Sequence, residues 1–343
     1  MSILECILID STSGEIKLTA NDMELGIETI IEGEILEKGI IALDAKIFLE
    51  IVRKLPDNDI TITTDSNFKT AITCEKAKFN IIGKSGEDFS YLPMIERNES
   101  IIISQYTLKE VIRQTIFSIS DNDNNKLMSG ELFEINGEEM RVISLDGHRI
   151  SIRKIHLKNS YPAKKVVVPG KTLNEISKIL SGDADKDVTI FFTDKHIVFE
   201  FENTTVVSRL IEGEYFKIDQ MLSSDYETKV IIHKKELLDC IDRATLLIKE
   251  GDKKPIIINI TDGSMELKIN STVGSMDEEI DIEKMGKDLM IGFNPKFLID
   301  ALRVIDDETI TIYLVNPKAP CFIRDEENNY IYLILPVNFT TVS

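Results

Sequence analysis

Three ten-residue stretches decide the fold: Lys46-Ile-Phe-Leu-Glu-Ile-Val-Arg-Lys-Leu55, Lys171-Thr-Leu-Asn-Glu-Ile-Ser-Lys-Ile-Leu180 and Lys296-Phe-Leu-Ile-Asp-Ala-Leu-Arg-Val-Ile305. Each opens with lysine and has an acidic residue four positions later, a basic residue at seven and an aliphatic residue at nine. They start at 46, 171 and 296, a constant interval of 125 residues. A period this long is that of a domain and not of a solenoid repeat, so the sequence predicts three tandem domains of similar fold.

The flanking segments repeat as well. An acidic turn and a β-branched run follow each stretch, at 57–62, 185–190 and 307–312, and Gly86-Glu-Asp-Phe89 matches Gly213-Glu-Tyr-Phe216. These runs are typical of strands, so we expect α+β domains of antiparallel strands with two helices each, over residues 1–98, 99–224 and 225–343. The second and third repeats carry an earlier helix, predicted at 107–120 and 235–249. Moving the first of these back by one period places it before residue 1, so the first domain is expected to lack about 25 N-terminal residues.

The repeated stretches are amphipathic when drawn as helices. Positions two, five, six and nine after the lysine are mostly apolar and form one stripe that predicts burial. The opposite face carries charges: Lys46, Glu50 and Arg53; Lys171, Glu175 and Lys178; Lys296, Asp300 and Arg303. The earlier helices add Lys109, Arg113, Lys235 and Arg243. For one helix the simplest interpretation is a solvated face with ion pairs. Three such faces arranged in an arc would instead form a surface that attracts phosphates weakly, without reading bases.

Composition narrows the function classes. The net charge of −19 argues against nucleic acid unless the 40 lysines and arginines gather on one inner surface. A hydrophobic fraction of 43% with 29% charged residues predicts a globular protein. No apolar run reaches the roughly 18 residues of a membrane helix, and the N-terminus lacks a signal peptide's basic flank, so we expect a cytoplasmic protein. Cys6, Cys74, Cys240 and Cys321 lie far apart, which predicts buried free thiols and no metal site.

Two motifs that resemble enzyme signatures do not support catalysis. Gly170-Lys171-Thr172 resembles the end of a phosphate-binding loop, but the glycine required five positions earlier is Lys165. His148 lies beside Asp146 and Arg149, yet the sequence shows no nucleophile or second carboxylate to complete an acid–base site. Asp22 and Asp146 occupy equivalent repeat positions, which indicates a structural turn. We therefore predict no enzymatic activity and no cofactor.

Four further motifs resemble one family in order along essentially the whole chain: Thr19-Ala-Asn-Asp-Met-Glu-Leu-Gly26, Asp146-Gly-His-Arg-Ile150, Ile291-Gly-Phe-Asn-Pro-Lys-Phe297 and Tyr332-Leu-Ile-Leu-Pro-Val337. They are similar to segments of the bacterial DNA polymerase III beta subunit, the beta sliding clamp. The resemblance implies a head-to-tail dimeric ring with helices lining the hole and antiparallel sheets outside. It also implies a processivity factor that encircles double-stranded DNA without sequence specificity. Its partners would be the DNA polymerase III alpha subunit, the clamp loader, and other DNA polymerases and repair proteins that carry clamp-binding peptides.

The resemblance also implies three sets of site residues. A hydrophobic peptide-binding pocket would comprise Met128, Gly147, His148, Arg149, Ile150, Phe216, Gln220, Met221, Asn294, Phe297, Leu333, Ile334, Leu335, Pro336 and Val337. The DNA-facing cations would be Lys46, Arg53, Lys109, Arg113, Lys171, Lys178, Lys296 and Arg303, and the dimer contact would join Phe79 to Leu246 and Leu247. Phe216, Gln220 and Asn338 depart from the family's usual proline, arginine and basic residue, so the peptide preference is expected to differ. A small-molecule enzyme or scaffold on the same architecture is the alternative, which native mass and particle shape would distinguish.

Overall fold

The computed structural model describes residues 2–121, 125–249 and 254–339. The α-helices there are α1 (Ala45–Lys54), α2 (Gln105–Thr115), α3 (Gly170–Ile179), α4 (Lys234–Thr245) and α5 (Pro295–Val304). The strands are β1 (Cys6–Asp10), β2 (Ile16–Asn21), β3 (Leu25–Ile31), β4 (Ile40–Asp44), β5 (Thr61–Thr64), β6 (Lys69–Cys74), β7 (Ala77–Ile82), β8 (Lys84–Ser85), β9 (Glu99–Ser104), β10 (Gly130–Leu145), β11 (Arg149–Pro169), β12 (Asp187–Phe192), β13 (His196–Phe201), β14 (Thr204–Arg209), β15 (Thr228–His233), β16 (Ile256–Thr261), β17 (Ser264–Asn270), β18 (Ser275–Asp281), β19 (Glu283–Gly286), β20 (Leu289–Phe293), β21 (Thr309–Leu314), β22 (Cys321–Arg324) and β23 (Tyr330–Ile334).

The three helices predicted from the repeated stretches are confirmed as α1, α3 and α5. Two of them begin at side-chain caps, where Asp44 accepts the N–H of Ile47 at 2.8 Å and Asn294 accepts that of Lys296 at 3.1 Å. Such caps satisfy N–H groups that have no partner inside the helix. The two earlier helices end sooner than predicted, at Thr115 and Thr245 rather than 120 and 249. Thr115 leaves helical geometry at φ −129°, and a 3-10 turn follows.

The chain divides into two compact units that do not follow the three predicted domains. The N-terminal unit comprises Met1–Gln105 and Asp183–Leu210, and the C-terminal unit comprises Tyr106–Gly182 and Ile211–Ser343. The predicted boundaries after residues 98 and 224 are not tested by this division and stay a prediction.

The N-terminal unit is built on a nine-stranded antiparallel sheet in the order β8-β4-β1-β2-β3-β14-β13-β12-β9, with a separate three-stranded sheet, β5-β6-β7. The join between β3 and β14 pairs Ile27 with Val206. One sheet thus unites strands from the first and second repeats. Helix α1 packs beside β1 and β4.

The C-terminal unit has a seven-stranded antiparallel sheet in the order β10-β11-β23-β22-β21-β15-β19 and a four-stranded sheet, β18-β17-β16-β20. Helices α4 and α5 pack against each other and share a core with these sheets, which includes Leu237, Ile241, Leu298 and Leu302. The stripe positions of α3 and α5 are buried, apart from the partly buried Ser177. The predicted apolar face is therefore confirmed for both helices.

The sequence also predicts no membrane helix, no metal site and four buried free cysteines. Across 2–121, 125–249 and 254–339, no helix has the length and apolar character needed to cross a membrane. The same residues contain no group of three or more histidines, cysteines or acids arranged to hold a metal ion. All four cysteines are free and buried, as predicted, and burial raises the pKa of the Cys321 thiol to about 12.

Candidate functional site

The Asp146 turn shapes one wall of the predicted pocket. One carboxylate oxygen of Asp146 accepts the backbone N–H groups of His148 at 2.9 Å and Arg149 at 3.1 Å. Gly147 between them has φ +89°, a left-handed conformation that favours glycine. Asp22 holds the equivalent turn of the N-terminal unit in the same way. The structural role predicted for both aspartates is confirmed.

Backbone pairing brings three distant segments together at this turn. The Leu335 N–H donates to the His148 carbonyl at 2.8 Å, directly after the pairing of Ile150 with Leu333 across β11 and β23. Two residues later the Val337 N–H donates to Gly292 of β20 at 2.8 Å. The end of the described chain is thus tied to the Asp146 turn on one side and to β20 on the other.

The floor of this region is apolar. Ile150 and Leu333 are buried in a cluster against which the half-buried Met128 and Phe216 pack. Side chains alternate along a strand, and Ile334 accordingly packs into the core on the opposite face, 1% exposed. Ile334 therefore lies on the opposite face of β23 from Leu333, and its predicted place in the pocket stays a prediction.

The rim is more exposed and more polar. The rings of His148 and Phe297 lie 6.0 Å apart, centroid to centroid, and the half-buried Asn294 caps α5 three residues before Phe297. Gln220 and Met221 are exposed, Met221 to 46%, at a 3-10 turn whose buried Ile218 belongs to the same apolar cluster. The described contacts thus join most of the predicted pocket and leave Gln220 and Met221 at its exposed edge.

Arg149 and Asp300 differ from expectation. Asp300 was placed by helical periodicity on the charged face of α5, yet its carboxylate is half-buried and accepts from the Arg149 guanidinium at 2.7 Å. Arg149 is only 7% exposed and also donates to Asp146. The reason is that β11 brings a cation against the side of α5, which a pattern within one helix cannot reveal.

Six of the eight predicted DNA-facing cations are exposed at the expected helix positions: Lys46 and Arg53 in the N-terminal unit, and Lys171, Lys178, Lys296 and Arg303 in the C-terminal unit. Acids neighbour several of them, including Glu175, 2.8 Å from Lys178, and Asp242, 3.2 Å from Arg303.

Lys109 and Arg113 are less available than the other six cations. Lys109 is half-buried and donates to the Leu180 carbonyl at 3.0 Å. Arg113, which is also half-buried, is paired with Glu110 and Asp306. Both cations are therefore occupied by contacts within the C-terminal unit.

Two of the sheet-edge strands, β7 and β18, lie near the predicted dimer residues. Strand β7 pairs only with β6, and β18 pairs only with β17. Phe79 on β7 is exposed, and Leu246, after α4, is 80% exposed. Leu247 is partly buried and packs 3.8 Å from where a Cβ on Gly274 would lie, in the turn before β18. Phe79 thus lies on one edge strand and Leu247 beside the turn that leads into another, while Leu246 is exposed after α4.

One buried acid was missed by sequence reasoning. Glu131 on β10 is buried, and neither carboxyl oxygen accepts a well-formed hydrogen bond from the residues that the structure describes. Burial raises the pKa of this carboxyl to about 8, and the nearby Thr115 hydroxyl opposes the rise. No local pattern marks it, because an acid in a strand is ordinarily expected to face solvent.

The comparisons with known proteins agree over nearly the whole chain. Three models of the DNA polymerase III beta subunit match, the N-terminal domain at residues 1–93, the central domain at 102–217 and the C-terminal domain at 219–338. The beta sliding clamp of Staphylococcus aureus is 33% identical over 348 residues, covering 98% of this chain and 92% of that protein.

Solved structures show the same similarity. A DNA polymerase III beta subunit from Eubacterium rectale is 77% identical with a TM-score of 0.95, covering 99% of this chain and 93% of that one. The DNA polymerase sliding clamp of Bacillus subtilis is 33% identical with a TM-score of 0.93, covering 98% and 92%. The matches extend over all three repeats, so the chain belongs to the DNA polymerase III beta subunit family.

Proposed function

We propose that this chain is a sliding clamp of DNA replication, in which two copies pair head to tail into a ring around duplex DNA. It acts as an accessory subunit and processivity factor with no catalytic step of its own. The ring tethers the polymerase alpha subunit, the clamp loader, and other polymerases and repair proteins. Membership of the beta subunit family and similarity to the sliding clamps of Staphylococcus aureus and Bacillus subtilis support this function. We expect it in the cytoplasm, associated with the nucleoid during replication.

The observation that carries the ring is that two edge strands, β7 and β18, carry side chains of opposite charge. Lys78 lies beside Phe79 on β7, whereas β18 presents Asp277 and Glu279 to solvent. Joining β7 of one copy to β18 of the next would merge a three-stranded and a four-stranded sheet and satisfy both rows of unpaired backbone groups. Because the two edges differ, the contact is heterologous, and such contacts form rings when the rotation closes.

The ring is tested by replacing Leu246 and Leu247 together with aspartate. We expect monomers at micromolar concentration in analytical ultracentrifugation and loss of retention on circular DNA, because Leu247 packs beside the turn before β18 and Leu246, next to it in the chain, is exposed. The matched control is Leu36→Asp, since Leu36 is 81% exposed in the loop between β3 and β4 and belongs to neither edge strand. A double variant that stays dimeric would show that the assigned contact is wrong.

The three domains at 1–98, 99–224 and 225–343 are part of this proposal, and the three matched segments support them. The exposed cations on α1, α3 and α5 would face the duplex. Reversing the charge of Lys46, Lys171 and Lys296 should then shorten retention on circular DNA, most clearly at low salt, where phosphate attraction is least screened.

The pocket is the proposed attachment point for partner peptides with leucine and aromatic anchors. Its apolar floor and polar rim suit such ligands, since a few buried anchors dominate peptide interfaces. Met221→Asp should abolish binding of a fluorescein-labelled peptide of this type, measured by fluorescence polarisation. Met290→Asp, at a partly exposed methionine on β20, is the control. Affinity retained within about threefold, or about 0.7 kcal/mol, would exclude Met221 from the pocket.

A further inference from the structure

The junction of β11 with β23, which forms the floor of the pocket, has a counterpart in the N-terminal unit, where β3 pairs with β14. Each junction begins at an aspartate turn, Asp146 or Asp22, and the residue after the aspartate has a positive φ, 89° or 75°. Two residues after each aspartate, a backbone carbonyl accepts an N–H from the segment that pairs with it, at 2.8 Å in the C-terminal unit and 2.9 Å in the N-terminal unit. The two junctions therefore share one backbone arrangement.

Two apolar residues of the pocket are replaced at the first junction. Four residues after the aspartate, Gly26 stands where the pocket has the buried Ile150. One residue before the aspartate, Asn21 stands where the other junction has the buried Leu145. Asn21 is itself buried, and its side-chain amide donates to the Ser90 carbonyl at 2.9 Å. The first junction thus has an opening in place of one apolar side chain and a hydrogen-bond donor in place of the other.

The linker between the first and second repeats fills this opening. A Cβ atom on residue 26 would lie only 2.0 Å from Cδ2 of Leu92, so the leucine side chain lies directly on the glycine backbone. Further along the linker, Arg97 donates to Glu200 at 2.6 Å. In the second linker the matching position, three residues after the phenylalanine of the shared Gly-Glu-x-Phe segment, is the exposed Asp219. The second linker therefore has no leucine to place in its own pocket from that position.

We propose that the β3–β14 junction is a second peptide pocket, closed by the chain's own linker, with Leu92 as the anchor that occupies it. The occupant is residues 90–97, held by this leucine and by hydrogen bonds to Asn21 and Glu200 near its two ends. A tethered ligand has a high effective concentration, so a free peptide competes with it poorly. The inference goes beyond the proposed pocket of the C-terminal unit, because the ligand of this second pocket is already in place. It leaves each copy of the chain with one pocket open to partners.

The test removes the anchor and its clamp and then supplies the linker sequence as a free peptide. All variants carry Met221→Asp, so that the pocket of the C-terminal unit does not contribute. Adding Asn21→Leu and Leu92→Ala should increase the affinity for a fluorescein-labelled peptide with the sequence of residues 90–97 at least tenfold over the Met221→Asp parent, measured by fluorescence polarisation. The same peptide with alanine in place of its leucine should show less than a twofold gain, because the space over Gly26 is filled by the leucine side chain.

Met94→Ala in the same Met221→Asp background is the matched control, since Met94 lies on the same linker and is fully exposed. It should leave the affinity within twofold of the parent. Thermal melting first establishes that each variant is folded, and Leu92→Ala without Asn21→Leu carries the test if the combined variant is not. A folded variant with no gain in affinity would overturn the inference, and so would an equal gain for the alanine peptide, which would show only a nonspecific apolar surface. Partner peptides that fail to bind the wild-type protein would instead count against the pocket of the C-terminal unit alone.

Discussion

Helices α1 and α5 share one sequence pattern but are covered differently. At the sixth position after the opening lysine, Leu302 of α5 is 0% exposed, whereas Val52 of α1 is 37% exposed. Helix α5 packs against α4 and the sheets, while α1 packs beside β1 and β4 and has one buried residue, Ile51. Periodicity therefore identifies the apolar face of a helix. Whether that face is buried depends on whether a second helix packs against it.

A helical partner accounts for the closer packing of α5. The second and third repeats contain an earlier helix, α2 and α4 respectively, and within the described part of the first repeat no α-helix precedes α1. Helix α4 supplies Leu237 and Ile241 to the core that buries α5. The apolar face of α5 is therefore expected to contribute more to stability than that of α1. Three measurements test this difference.

The largest expected effect is at the matched position itself. Leu302→Ala removes buried methyl groups and should lower the free energy of unfolding by about 2–5 kcal/mol. Val52→Ala should cost less than about 1 kcal/mol, since the valine is already partly in water. Hydrogen exchange of the α1 and α5 amides measures each effect locally, which matters because two units need not unfold together. Equal losses of unfolding free energy for Leu302→Ala and Val52→Ala would contradict the proposed difference between α5 and α1.

The tight packing of the C-terminal unit also buries Glu131, so its free energy of unfolding should depend on pH. The pKa of Glu131 is raised from 4.5 to about 8 in the folded protein. Between these values the unfolded chain releases a proton that the folded protein keeps, so the free energy of unfolding falls as pH rises, by at most about 1.4 kcal/mol per pH unit. The decline ends above pH 8.

Glu131→Gln should remove this decline. Its stability advantage over wild type should therefore be smallest near pH 4.5 and should grow until about pH 8, as measured by urea denaturation across the range. A difference in unfolding free energy that stays constant with pH would mean that Glu131 is ionised in the folded state. The packing around Glu131 would then be looser than the structure indicates.

The smallest effect concerns the basic residue seven positions after the lysine. Arg303 of α5 lies 3.2 Å from Asp242 on α4, whereas Arg53 of α1 lies 3.8 Å from Glu50 of its own helix. Both pairs are exposed, so Arg303→Gln should cost about 0.5 kcal/mol and Arg53→Gln about 0.3 kcal/mol or less. A larger loss at Arg53 in thermal unfolding would contradict the view that α5 gains more from its neighbour.

Sequence reasoning predicted what depends on short spacing. The positions of α1, α3 and α5, the Asp22 and Asp146 turns and the buried cysteines all follow from local patterns. It failed where distant segments meet. Arg149 and Asp300 are 151 residues apart in the chain, and no helical periodicity indicates that β11 would place a cation beside α5. The pairing of β3 with β14 was not predicted for the same reason, since strand register is set by the partner strands and not by either strand alone.

That shared sheet has a consequence for how the protein is made. Strand β3 cannot acquire its neighbour β14 until the ribosome has synthesised residues 204–209, long after the rest of the first repeat has emerged. At about 5–20 residues per second, the interval between the synthesis of β3 and the synthesis of β14 lasts on the order of 10–40 s. During it, β3 has a side with no strand to pair with, and nascent chains on neighbouring ribosomes carry the same exposed edge. Slower translation through the second repeat would lengthen this exposure, and a chaperone that shields extended segments would shorten it.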